Sequence, residues 1–70
     1  MKRLKVSVYD NKLNRLELFY TDELNWCMFD RERIFKKYPN VPLVASSGQY
    51  RLHENDKYTI EVVPVNGLPY

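Results

Sequence analysis

The chain carries one histidine and one cysteine, and neither stands among partners that would make it reactive. His53 lies next to Glu54 and close to Asp56, three groups that could hold a divalent cation or pass a proton. Metal ligands are usually set on one helix face or on facing strands, and a cluster confined to a turn has neither spacing. A hairpin turn produces the same residues for no functional reason. Cys27 is surrounded by Trp26, Met28 and Phe29, a setting that favours a buried, inert thiol over one of lowered pKa. Ser46-Ser47-Gly48 lacks both the glycine spacing and the Lys-Ser/Thr ending of a phosphate loop, so turn hydrogen bonds account for it. No pair of carboxylates stands out as general acid and base. These residues predict a protein that is not an enzyme and that requires neither metal nor cofactor.

Two sets of side chains could instead bind a macromolecule. Trp26, Phe29 and Tyr9, with Tyr20 and Tyr50, are of the type enriched where protein partners dock. Trp26 is the first candidate for an anchor if it is exposed. The other set is basic: Lys2, Arg3 and Lys5, then Arg31, Arg33, Lys36 and Lys37, which with the tyrosines could track phosphates and stack bases. Asp30 and Glu32 interrupt that set, and Glu17, Glu23, Glu54 and Glu61 dilute the field elsewhere. A solvated, salt-bridged helix face is the simpler explanation of the same charges. The formal charge of +2 is no more than a small soluble domain ordinarily carries.

Positioning these residues falls to a few short elements. Arg3 to Tyr9 alternates, with Leu4, Val6 and Val8 on one side, as a half-buried strand requires. Asp10 to Asn14 supplies turn chemistry, and Arg15 to Thr21 alternates again, which makes a hairpin. A second hairpin follows from Gln49 to His53, a turn at Glu54-Asn55-Asp56, and Lys57 to Val63, with Pro64 ending or edging that strand. Pro39 to Pro42 and Ser46 to Gly48 read as loop, leaving Leu43 to Ala45 a brief extended piece at most.

Between the hairpins, local rules disagree. A uniform helix from Leu24 to Tyr38 would gather Leu24, Cys27, Met28, Ile34, Phe35 and Tyr38 on one face and leave Trp26 and Phe29 nearly opposite. The alternative is a short strand from Leu24 to Phe29, followed by a helix from Arg31 to Tyr38 capped by Asp30 and stapled by Phe29 against Ile34. The strand-then-helix form is the favoured expectation. A helix starting at a Thr21 cap is its rival. In either form Lys36 and Lys37 suit the helix end and Pro39 closes it.

The expected architecture is a single α+β domain over residues 1–64, an antiparallel sheet of two hairpins with a possible short middle strand and one short helix on it. Residues 65–70, with two prolines in the stretch from Pro64, read as an irregular C-terminal tail. Seventy residues bury only roughly 60% of the unfolded surface, so docking on a partner or self-association, as monomer or small homo-oligomer, is expected. One cysteine allows no internal disulfide, and no apolar run approaches the ~18 residues of a membrane span. A cytoplasmic or virion setting away from membranes follows from these features. Phe, Tyr, Met, Ile, Asn and Lys total 25 residues against 12 for Gly, Ala, Arg and Pro, the balance an AT-rich gene encodes. The expected function is a non-catalytic protein-interaction or assembly module, an accessory or virion-associated protein of a phage of a low-GC bacterium. The alternative is a small nucleic-acid-binding regulator.

Overall fold

Alternation in β1 (Lys2–Asp10) and β2 (Arg15–Thr21) is realised as an antiparallel hairpin in which Val6 faces Phe19 and Leu4 faces Thr21. The computed structural model describes residues 2–66. Asp10 organises the connecting turn: its carboxylate accepts from the Lys12 and Asn14 amides at 2.8 and 2.9 Å. Leu13 in that turn takes φ +65°, a left-handed conformation unusual for a leucine.

Three further strands complete the sheet: β3 (Leu43–Ser47), β4 (Tyr50–Glu54) and β5 (Tyr58–Asn66). The order is β2-β1-β5-β4-β3, antiparallel throughout. The protein is therefore α+β, but its sheet has five strands, and the fifth is β3, longer than the brief Leu43–Ala45 piece expected, with no strand at Leu24–Phe29. Ser46 and Ser47 are strand residues, because Gly48 turns the chain at φ +59° and returns Tyr50 opposite Ser47. β5 also continues through Pro64 to Asn66, beside β1, where Pro64 pairs with Leu4. Its last β4 partner is Arg51 at Val62, so Pro64 lies where β5 has an open edge and a missing donor costs no ladder bond. The expected tail is thus strand as far as Asn66, and residues 67–70 lie outside the described residues.

Leu24 to Phe29 is helix, not strand. Helix α1 (residues 23–37) is fifteen residues long and begins at Asp22, not Thr21 or Asp30: the Asp22 carboxylate accepts from the Asn25 amide at 2.8 Å. Asp30 sits inside the helix and accepts instead from Thr21 Oγ1 at 2.7 Å. The helix ends at Lys37, before Pro39, as the sequence predicts.

Within α1, Trp26–Asp30 forms a wider turn in which the Arg31 amide reaches back five residues to the Trp26 carbonyl. That turn accommodates one extra residue. In a uniform α-helix, Trp26 and Ile34 would be about 80° apart in projection; with one residue absorbed they come within about 20°. The face expected for a uniform helix is accordingly wrong. Trp26 is buried (7% exposed) with Ile34 and Tyr38, whereas Leu24, Cys27, Met28 and Phe29 are exposed.

The core lies between this helical stripe and one face of the two central strands. Leu4, Val6 and Val8 of β1 and Ile60 and Val62 of β5 pack with Trp26, Ile34, Tyr38 and Val41. Each such side chain contributes about 1.5–3 kcal/mol on burial, and the flanking Phe19, Phe35 and Tyr58 seal the margins.

Candidate interaction surfaces

Period-two alternation and the strand register divide the remaining side chains between the two faces of the sheet. On the helix side, the strands flanking the central pair offer mostly polar groups: Glu17 and Thr21 beside Phe19 in β2, and Arg51 and His53 in β4. On the side with no helix, Leu18 and Tyr20 of β2, Tyr50 and Leu52 of β4, and Val63 and Val65 of β5 point outward together with Tyr9. Leu18 and Tyr20 are 39% and 41% exposed, and the others are half-buried. The apolar residues of the flanking strands thus serve the open face instead of the core. That distribution leaves an apolar surface which the described residues do not cover.

Two of the three expected docking residues adjoin this surface. Tyr9 lies on the open face, opposite Thr59. Phe29, 62% exposed, joins Tyr20, Arg3 and Thr21 around a shallow depression of about 250 Å³ at the margin of β2. Trp26 is the exception, since the wide turn carries it into the core, and it cannot act as an exposed anchor. Cys27, expected to be buried, is exposed for the same reason: it follows Trp26 on the helix and faces outward.

The basic set is divided by the sheet. Arg33 and Lys37 face β2, where Glu17 lies 3.6 Å from the Arg33 guanidinium and 3.1 Å from Lys37 Nζ. Arg33 is also 3.6 Å from Asp30 and stacks 5.0 Å above the Phe19 ring. Glu17 accepts from the Tyr38 hydroxyl at 2.7 Å. Burial would raise the Glu17 carboxyl, but that hydroxyl, Lys37 and Arg33 together outweigh it and hold the group below the ordinary glutamate value. Glu17 in turn raises the Lys37 ammonium through hydrogen bonding and charge. These two cations serve the fold and are neutralised within it.

Arg31 faces the other way, towards β4, and Lys36 lies on the outer side of the helix in a groove shared with Arg31, Glu32 and Phe35. Arg31 lines two adjoining cavities together with Arg51, a residue outside the expected basic set. Arg51 is placed there by alternation in β4 and fixed by hydrogen bonds from Nη1 to the Gly48 and Tyr50 carbonyls. His53, next on that face, stacks against Phe35 with ring centroids 4.7 Å apart, and its Nδ1 lies 3.3 Å from the Val41 carbonyl. Desolvation lowers the imidazole pKa and the charges of Arg31 and Arg51 lower it further, against the opposing pull of the Val41 carbonyl. His53 and Glu54 occupy opposite faces of β4, so the suggested His-Glu-Asp cluster does not assemble.

Comparison with protein-family models, with curated proteins and with solved structures gave no match to this chain. No helix among the described residues is long and apolar enough to cross a membrane.

Proposed function

We propose that the protein is a non-catalytic interaction or assembly module that docks a protein partner on the open face of its sheet. The observation that carries this reading is the placement of Leu18, Tyr20, Leu52 and Val63 on the face opposite α1. A one-sided sheet ordinarily reads apolar-in and polar-out; here Leu18 and Tyr20 of β2, Tyr50 and Leu52 of β4, and Val63 and Val65 of β5 face outward beside Glu54, Thr59 and Glu61. Contiguous exposed apolar surface rimmed by charge is the mark of a docking site. Arg3 stands at one end of that face and Glu54 at the other, Lys5 lies between Tyr20 and Val63 and Glu61 beside Leu52, and these charges would orient the partner. Phe29 and Tyr9 extend the surface at its margins. The residue balance of an AT-rich gene supports an accessory or virion-associated role in a phage of a low-GC host, acting in the host cytoplasm or on the particle.

The test is capture from host and phage lysates with the wild-type chain and with Leu18→Lys and Leu52→Lys, each first shown to retain the wild-type circular dichroism and melting temperature. A protein held by the wild type and released by both variants supports the reading. Equal retention by all three, or no retained protein, would sink it. Mass in solution then distinguishes a foreign partner from a second copy of the chain.

A further inference from the structure

Arg31 and Arg51 converge on one cleft and have no carboxylate within ion-pair distance among the described residues. Every other cation of α1 that faces the sheet is neutralised: Arg33 by Glu17 and Asp30, Lys37 by Glu17. Two guanidiniums facing a shared space repel one another until an anion joins them, and the fork geometry of arginine suits phosphate oxygens. Arg51 is held in place by the Gly48 and Tyr50 carbonyls, so its orientation does not depend on a ligand.

The two arms of the cleft differ. One, of about 200 Å³, is lined by Phe35 and His53, a half-buried tilted ring pair against which a flat heterocycle can lie. Desolvation and the neighbouring charges keep His53 neutral near pH 7, so it presents a ring face there and not a further positive charge. The other arm, of about 140 Å³, is lined by Gln49 and Glu23. Gln49 Nε2 donates to the Glu23 carboxylate, but Gln49 Oε1 is buried with no donor among the described residues. That oxygen is closed off from the cleft, so the space open to a ligand's ring is the Phe35–His53 arm.

We propose that this cleft binds a nucleotide unit, with its phosphate between Arg31 and Arg51 and its base against Phe35 and His53. The unit comes either from a free nucleotide or from a single strand, for which Lys36, across a groove shared with Arg31 and Glu32, is the next cation. The cleft lies on the helix side of the sheet, so this inference is independent of the protein-docking face.

Trp26, the single tryptophan of the chain, lines both arms and reports occupancy through its fluorescence. Inorganic phosphate, a mononucleotide and a single-stranded oligonucleotide are titrated separately into the full chain at low and moderate salt. A saturable change is expected with the mononucleotide or the oligonucleotide at lower concentration than with phosphate, weakening as salt rises. Arg31→Gln and Arg51→Gln should each reduce affinity roughly tenfold or more, the loss of one charge-assisted contact, while Arg33→Gln should leave it unchanged. Arg31 has no hydrogen-bond partner to lose among the described residues, so its variant stays informative even if Arg51→Gln disturbs the β3–β4 turn. Tighter binding of the oligonucleotide identifies a strand, and equal binding identifies a free nucleotide. No response to either nucleotide probe, a response no stronger than that to phosphate, or one undiminished in Arg31→Gln would overturn the proposal.

Discussion

Trp26 and Ile34 bury their side chains on one stripe of α1 although eight positions separate them, because the turn at Trp26–Asp30 absorbs a residue. Removing that residue should therefore regularise the helix without moving either side chain off the core. Deletion of Met28, which is exposed, is expected to keep the fold and the Trp26 emission maximum. Insertion of one alanine after Met28 should instead rotate Ile34 by about 100° from Trp26 and abolish cooperative unfolding. Thermal melts of the two length variants, with Ile34→Ala as a reference for a loss of about 2–5 kcal/mol, decide the matter. A deletion as damaging as the insertion would show that the wide turn is not a simple one-residue excess.

Glu17 ties β2 to the end of α1 through Tyr38, Lys37 and Arg33. Its carboxyl is held below the ordinary value in the folded chain, so its contribution is complete above about pH 4.5, the unfolded value, and is lost as pH falls through the lower folded pKa. Glu17→Gln should be less stable than wild type at pH 7, and the gap should close towards pH 3. Urea unfolding across that range measures both limbs. A gap independent of pH would assign the loss to packing.

His53 works in the same direction at higher pH. Its folded pKa lies below the ordinary histidine value of 6.5, so the unfolded chain takes up the proton first and stability falls as pH drops from 6.5 towards the folded value. His53→Phe, which retains a ring against Phe35, should remove this loss. Chemical shifts of the imidazole protons, followed against pH, give the folded value directly. A midpoint above 6.5 would contradict the desolvated setting described for β4.

Leu13 is 79% exposed and holds φ +65°, so its side chain gains little from burial and strains the turn. Leu13→Gly is expected to stabilise the β1–β2 hairpin by about 1 kcal/mol, or roughly 4–8 °C in Tm for a domain of this size. An unchanged or lower Tm would mean that glycine's extra freedom in the unfolded chain offsets the relief.

Much of the sheet was legible because its signals are local. The Leu4-Val6-Val8 alternation, the Asp10 turn and the Asn55 turn are each encoded within a few residues, and the α+β class follows from them. Pro39 likewise marks the helix end without reference to tertiary structure. What escaped depends on distant partners. Ser46 and Ser47 are poor strand residues on their own and become β3 only because β4 pairs with them. The wide turn in α1 has no signature of its own; it is selected because a uniform helix would leave Trp26 out of the core. The basic residues showed how many charges the helix carries, but only the position of Glu17 separates neutralised Arg33 from Arg31, which has no ion pair among the described residues. Arg51 could have been found by extending the β4 alternation to its polar side, where it sits two residues from His53.

The pairing of β1 with β5 also governs how the molecule must assemble. The centre of the sheet joins its first strand to its last, so the most buried hydrogen-bonded pair closes nearly the longest loop available to the chain. Loop closure of that length must precede the core contacts that reward it, an entropic cost that a sheet of consecutive hairpins would not carry. On a ribosome, the β1–β2 hairpin and α1 would emerge with their apolar faces unsatisfied, and only the arrival of β5 would complete the barrier to aggregation.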